Sequence, residues 1–381
     1  MPKRVKAAVM TAPGKIEIQE FPYPKLESGA MMMKVEMSGI CGTDKHTYKG
    51  ENVQYAGTAS ERKTPFPIIP GHENVGVVAE ITEEAKKGLE FYGEELKEGD
   101  RIVMCPDVIC GKCWYCRQIH GYPWCENVKG YGNAFSSKEP PSLFGGWAEY
   151  IYIRPDVFVY KVPEGIPKEV AVLAEPFAVT FALDSAIHSS AGNGFCGDTV
   201  VVQGVGPLGL CCLIKARILG AGDIIAIDLS DFRLKMAEEF SADYILNAKK
   251  TEKDKRIDYI RELTDGRGAD VVIGCTGVPD SFTEGLEMLR RGGAYIELGN
   301  FVDTGTININ VHKHVCAKNA RIFGVTNHPF TKYGATLKLF LKYGEQLPFK
   351  KIVTHRYKIQ EAETALKKSM DEDTMKVVIE P

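Results

Sequence analysis

Apolar positions divide the chain into two rhythms. Over about the first 170 residues they come in short runs, Met32–Met37 and Asn74–Ala79 among them, separated by Gly and Pro. Gly99-Asp100-Arg101-Ile102-Val103 reads as a turn entering a strand, and Ala148–Ile153 and Asp156–Tyr160 as further strands. Many short strands with turn punctuation predict a barrel-like β domain. From about Val170 the spacing lengthens. Strand-like runs at 200–203, 224–227, 271–275 and 294–298 alternate with helical patterns near 207–219, 231–240, 254–263 and 280–291. That alternation predicts βαβ units and a parallel sheet, hence an α/β chain. After about Val325 the pattern is mixed, and Lys376–Glu380 reads as a last strand.

The parallel half opens on a specific turn. Val200-Val201-Val202-Gln203 runs into Gly204-Val205-Gly206-Pro207-Leu208-Gly209, and a helical pattern follows. G-x-G-x-x-G between strand and helix is the context of a dinucleotide site. Gly204 would make the tight turn, Gly206 would admit a pyrophosphate, and Gly209 would let helix and strand approach. The helix N-terminus supplies free N–H groups and a positive dipole end. Asp228 closes the next strand about 20 residues on, where a carboxylate can accept from ribose hydroxyls and repel a 2′-phosphate, which favours NAD over NADP. Asp228 can equally cap the helix that follows. Arg233 can hold the adenosine end or be a solvated charge, and it weakens the case against NADP.

Composition sets limits. The 381 residues are 44% hydrophobic and 25% charged, with a net charge of −3. Two domains with full cores fit that length. The charge gives no reason to expect nucleic acid or an anionic membrane as partner. No apolar run approaches the roughly 20 residues of a membrane helix. Basic residues at the start lack an apolar stretch behind them, so no signal peptide is expected and a cytoplasmic location follows by default.

Eleven cysteines are many for such a chain. Cys110, Cys113, Cys116 and Cys125 lie in one loop at C-x2-C-x2-C-x8-C spacing, with Cys105 as a nearby spare. Four thiolates from one loop fit a closed tetrahedral structural zinc site; reduced core thiols or Fe–S ligation are the alternatives. A second, dispersed set holds Cys41, Thr43 and His46 in Gly39–His46, then His72 and Glu73 in Pro70–Glu73, then Glu175 in Leu173–Phe177. Taken singly, Cys41 fits a core position, His72 a turn and Glu175 a helix start, so spacing alone does not make them one metal site.

Together GICGTDKH, PGHE, the four-cysteine loop, AEPFA and QGVGPLG resemble the zinc-dependent medium-chain dehydrogenase/reductase family, in that family's order and over essentially the whole chain. The resemblance implies a GroES-like β-barrel catalytic domain over 1–178, a Rossmann NAD-binding domain over 179–326, and a return to the catalytic domain over 327–381. It implies two zinc ions per chain, one structural and one catalytic. Cys41 and His72 match catalytic ligands, Glu73 the carboxylate that ligates or sits behind the metal, and Glu175 the remaining protein ligand. A glutamate followed by proline at that last position resembles the polyol, sugar and threonine dehydrogenases rather than the simple alcohol dehydrogenases. The cysteine loop is one residue longer than the family's usual pattern, and the stretch from Gly50 to Pro70 is also long, which puts borrowed substrate names in doubt.

The chemistry expected is hydride transfer from a secondary alcohol (polyol, sugar or cyclitol) to NAD. Zinc with an open position is a Lewis acid that acidifies a bound hydroxyl. Thr43 can take the proton and pass it, by way of the cofactor ribose, to His46; a loop hydroxyl and a surface histidine are the bland alternatives. Threonine or simple secondary-alcohol oxidation is the alternative within the enzyme class, and a non-catalytic NAD- and zinc-binding sensor the alternative outside it. The family implies a homotetramer or homodimer.

Overall fold

The computed structural model describes residues 2–58, 60–118, 124–184, 195–327 and 329–381, which fall into two compact units: Met1–Ala178 with Pro329–Pro381, and Val179–His328. No helix among the described residues is long and apolar enough to cross a membrane.

The first unit is mostly β. Strands β1 (Arg4–Ala12) and β2 (Lys15–Pro22) form an antiparallel hairpin. β3 (Met31–Gly39) then enters the main sheet and leads into helix α1 (Gly42–Lys49). A short hairpin, β4 (Val53–Gln54) with β5 (Arg62–Lys63), occupies the long stretch before β6 (Glu73–Ile81). Helix α2 (Glu83–Gly88), strand β7 (Arg101–Met104), the pair β8 (Asp107–Val108) and β9 (Lys129–Gly130), helix α3 (Trp114–Gln118) and strands β10 (Tyr150–Ile153) and β11 (Val159–Lys161) follow. Helices α4 (Lys168–Ala171) and α5 (Ala174–Val179) end this part.

Residues 329–381 return to the same unit through helix α10 (Tyr333–Tyr343), strand β18 (Val353–Lys358), helix α11 (Ala362–Lys368) and strand β19 (Lys376–Glu380). The seven-stranded sheet runs β11-β7-β6-β3-β19-β18, with β10 also on β3. Met31, Met32, Met33, Val78, Ile151 and Trp147 fill its core. One pairing matters most for function. β19 lies antiparallel to β3, with Val378 opposite Gly39 and Ile40 N–H donating to Val377 O at 3.0 Å. The last strand is thereby fixed beside the turn that carries Cys41.

The second unit is a Rossmann-like parallel sheet. β12 (Val200–Gln203), β13 (Ile224–Asp228), β14 (Tyr244–Asn247), β15 (Ala269–Gly274), β16 (Leu289–Glu297) and β17 (Arg321–Gly324) pair in the order β14-β13-β12-β15-β16-β17, all parallel. Helices α6 (Pro207–Ile218), α7 (Asp231–Glu239), α8 (Lys253–Leu263) and α9 (Pro279–Met288) connect them. Near-continuous apolar strands such as β12 and β13 are buried along their whole length, as sheets covered on both faces require.

Two local differences from the sequence pattern have physical causes. The helix expected over 280–291 stops at Met288, because Leu289 turns extended and begins β16; Lys318 Nζ caps the end by donating to the carbonyls of Leu286, Glu287 and Leu289. β14 and β17 are four residues each with no fully buried position, too short to stand out by periodicity. Their pairing to β13 and β16 decides them.

Candidate active site and metal centres

The two cysteine-bearing clusters both lie in the first unit. In the loop around α3, one ligand atom from each of Cys110, Cys113, Cys116 and Cys125 lies within 4.8 Å of the others. The loop aims backbone donors at the sulfurs: Cys110 N–H meets Cys125 Sγ at 3.3 Å, and Asn127 N–H meets it at 3.4 Å. Asn127 Nδ2 approaches Cys110 Sγ at 3.8 Å. Backbone N–H groups of Lys112 and Cys113 help bring the Cys110 thiol down to about 6, whereas burial and neighbouring thiols push Cys116 up to about 12. Four sulfurs this close, partly as thiolate and hydrogen-bonded by amides, form a donor set that fits a tetrahedral Zn²⁺.

The second cluster forms where two strand ends and a helix start meet. β3 ends at Gly39, Cys41 caps the start of α1, His72 immediately precedes β6 and Glu73 opens it. Ligand atoms of Cys41, His72 and Glu73 lie within 4.8 Å of one another. Asp44 fixes the turn by accepting from Cys41 N–H at 2.8 Å and Gly71 N–H at 3.3 Å. His72 Nδ1 is buried with no hydrogen-bond partner among the described residues. Burial opposes an imidazolium there, but the charges of Cys41, Glu175 and Asp44 outweigh it and hold the His72 pKa well above the usual range. A proton balances this excess of negative charge, and a bound cation would balance it equally. Thiol, imidazole and carboxylate are zinc donors, so the site fits that metal.

The two glutamates differ. Glu73 packs over Gly39, whose missing side chain leaves the room: a Cβ there would fall 2.0 Å from Glu73 Oε2. Both Glu73 oxygens are held by Lys376 Nζ, at 2.7 and 2.5 Å, and the two side chains are 1% and 2% exposed. Glu175 is buried on α5 and lies outside the 4.8 Å set. Burial pushes its carboxyl up to about 7, against the opposing pull of His72. Thr43 is half-buried, with Oγ1 4.0 Å from Cys41 Sγ. His46 stands one turn further along α1, and its Nδ1 meets the Glu51 carboxylate.

Lys376 and Glu51 were not singled out by the sequence. Lys376 had only a terminal-strand pattern to mark it, and 303 residues separate it from Glu73. No local spacing could have joined them. Arg62, in the long stretch before β6, stacks on Tyr55 at 5.2 Å, donates to Gln54 Oε1, and reaches Val128 O just beyond the four-cysteine loop.

In the second unit the glycine turn is built as a cradle. Gly204 has φ +83°, and a Cβ there would press on the Cys275 carbonyl at 3.0 Å. A Cβ at Gly209 would lie 1.8 Å from Gly204 O. At Gly206 the nearest atom to such a Cβ is Arg233 Nη1, at 4.0 Å, so packing within the fold does not demand a glycine; close approach of a ligand would. Val205 links the turn to β13 by donating to Asp228 Oδ2 at 2.8 Å, while Ser230 N–H donates to Oδ1 at 2.9 Å. Pro207 and Leu208 open α6, with Gly206 as its N-cap and Pro207 lacking the N–H that a first turn leaves unpaired. The arrangement fits a dinucleotide pyrophosphate.

Comparison with known proteins agrees with both units. Residues 27–164 match the family model described as alcohol dehydrogenase GroES-like domain, and residues 207–342 match zinc-binding dehydrogenase. Sorbitol dehydrogenase of Bacillus subtilis is 30% identical over 100% of this chain and 98% of its own. L-Threonine 3-dehydrogenase of Pyrococcus horikoshii is 32% identical over 94% of this chain and 93% of its own. The crystal structure of an alcohol dehydrogenase from Thermotoga maritima superposes with a TM-score of 0.89 at 32% identity, over 99% of both chains.

Proposed function

The chain belongs to the zinc-dependent medium-chain dehydrogenase/reductase family, and from that premise we propose that it oxidises a secondary alcohol of the polyol, sugar or cyclitol class with NAD as acceptor. An alcohol dehydrogenase dependent on zinc and a nicotinamide cofactor follows from the family; the substrate class and the preference for NAD are the proposal. One observation carries it: the cluster of Cys41, His72 and Glu73 in the first unit. Similarity to sorbitol and L-threonine dehydrogenases supports a polar, hydroxylated substrate.

When bound, zinc supplies a Lewis acid for the alcohol oxygen and the nicotinamide a hydride acceptor. Cys41 and His72 would hold the catalytic metal with Glu175 as the third protein group. Glu73, held by Lys376, would ligate the metal or offset its charge. The Thr43 hydroxyl would take the proton of the alcohol, and His46 would accept a proton at the far end of the relay. Cys110, Cys113, Cys116 and Cys125 would hold a second, structural zinc. Asp228 favours NAD through its carboxylate, and Arg233 beside Gly206 would face the phosphates. A homotetramer or homodimer is the expected assembly, and the cytoplasm the expected location.

The test is a panel of polyols, cyclitols, L-threonine and short alcohols, with NAD and with NADP, read as reduced-cofactor absorbance alongside zinc analysis. Full activity with the catalytic zinc demonstrably removed would overturn the mechanism. Preference for L-threonine would move the substrate to the second reading, which the Pyrococcus relative supports. A Cys41→Ser variant that kept its biological effect would favour a sensor.

A further inference from the structure

Helix α1 ends in a way that places one more carboxylate at the relay. Gly50 adopts φ +92°, the left-handed conformation that closes helices, and its N–H returns to the Thr47 and His46 carbonyls. Glu51 N–H also donates to His46 O, at 2.9 Å. The chain folds back, and the Glu51 carboxylate meets His46 Nδ1. Two other charged groups of this helix, Asp44 and Lys45, have partners away from His46. Asp44 accepts from Cys41 and Gly71, Lys45 Nζ donates to Ser369 O at 2.8 Å, and Glu363 takes the Tyr48 hydroxyl and Lys367. Lys49 is exposed in the last turn.

We propose that Glu51 is the positioning residue of the proton relay: by accepting the hydrogen of His46 Nδ1 it fixes that tautomer and presents Nε2 as the accepting nitrogen. The inference rests on the relay role given to Thr43 and His46 above. A carboxylate accepts only, so an ionised Glu51 requires Nδ1 to be the donor, and in neutral imidazole the other nitrogen then carries the lone pair. The pair is of little use to stability. Its side chains are 27% and 47% exposed, and ion pairs this open to water contribute little to folding. Its effect on the tautomer does not depend on that energy.

The proton balance is simple. Oxidation breaks the alcohol O–H and C–H bonds and forms C=O. The hydride, with its electron pair, goes to the nicotinamide acceptor. The proton enters the Thr43 hydroxyl, which releases its own into the relay that ends at Nε2; His46 becomes imidazolium, Glu51 offsets the charge, and a solvent base removes the proton.

The experiment uses the zinc-loaded, full-length enzyme labelled with ¹⁵N-histidine. Long-range proton–nitrogen NMR reports which ring nitrogen bears hydrogen, and His46→Gln assigns the signal. The expected wild-type form is Nδ1–H. Glu51→Ala should move His46 toward Nε2–H and lower kcat about tenfold, within the range for support of a general base, with Glu51→Asp recovering part of both. In the His46→Gln background, Glu51→Ala should change kcat no further. An unchanged tautomer in Glu51→Ala, or an equal loss in both backgrounds, overturns the positioning role. Wild-type kcat in His46→Gln would instead overturn the relay itself, whatever the tautomer shows.

Discussion

The buried pair between Lys376 and Glu73 permits a quantitative prediction. Replacing Lys376 by methionine keeps most of the side-chain volume and removes the cation. Glu73 then remains 1% exposed, its two oxygens deprived of donors at 2.7 and 2.5 Å. Leaving one partner of a buried pair costs about 3–5 kcal/mol. For a body of this size that lowers Tm by roughly 6–20 °C, at 2–4 °C per kcal/mol. The Lys376→Met/Glu73→Gln double variant should recover most of the loss, because a neutral amide needs no counter-ion and isosteric replacement of both partners of a buried pair is often near neutral. Thermal unfolding of the zinc-loaded proteins, followed by circular dichroism, measures both. A loss below about 1 kcal/mol in the single variant, or no recovery in the double, would refute the view that this ion pair clamps the C-terminal strand to the metal centre. Zinc content should fall in the single variant as well, since a freed carboxylate can reorganise the ligands that β3 and β6 present.

Other outcomes follow from the same geometry. Gly209→Ala would force a Cβ to 1.8 Å from Gly204 O, so the strand–helix turn must open; a loss of about 1–3 kcal/mol and weaker cofactor binding by titration are expected. Asp228→Asn removes the negative charge beside the proposed ribose site while retaining an acceptor for Val205 N–H. The KM for NAD should rise on the order of tenfold, about 1.4 kcal/mol, while that for NADP falls. If the proposed structural zinc sits in the four-cysteine loop, Cys116→Ser should lose it, read by metal analysis, and lower thermal stability while leaving the Cys41 cluster able to bind metal. Chelation of both sites should abolish NAD reduction, with added Zn²⁺ restoring it.

Sequence and tertiary structure contributed at different ranges. The glycine turn is local: strand, Gly204, Gly209 and helix are contiguous, and the steric demands at those two positions come from neighbouring backbone of the same βαβ unit and the adjoining strand. The four-cysteine loop is local too, since its ligands span a single short segment and need only one closure. Parallel strands β12 and β13 announce themselves as unbroken apolar runs because both faces are buried. Cys41, His72 and Glu73 are legible as chemistry-bearing types, but their gathering depends on β3 and β6 being sheet neighbours.

Lys376 and Glu51 belong to what only the tertiary structure decided. A terminal lysine in an apolar strand looks like a solvated edge charge until β19 pairs with β3 and carries it, fully buried, onto Glu73. Glu51 looks like a loop charge until the left-handed Gly50 turns the chain back on His46. The physical reason is range. Residue type, periodicity and short spacing encode interactions within one turn, one strand or one loop, whereas a buried charge is placed by the sheet that brings its counter-charge from the far end of the chain.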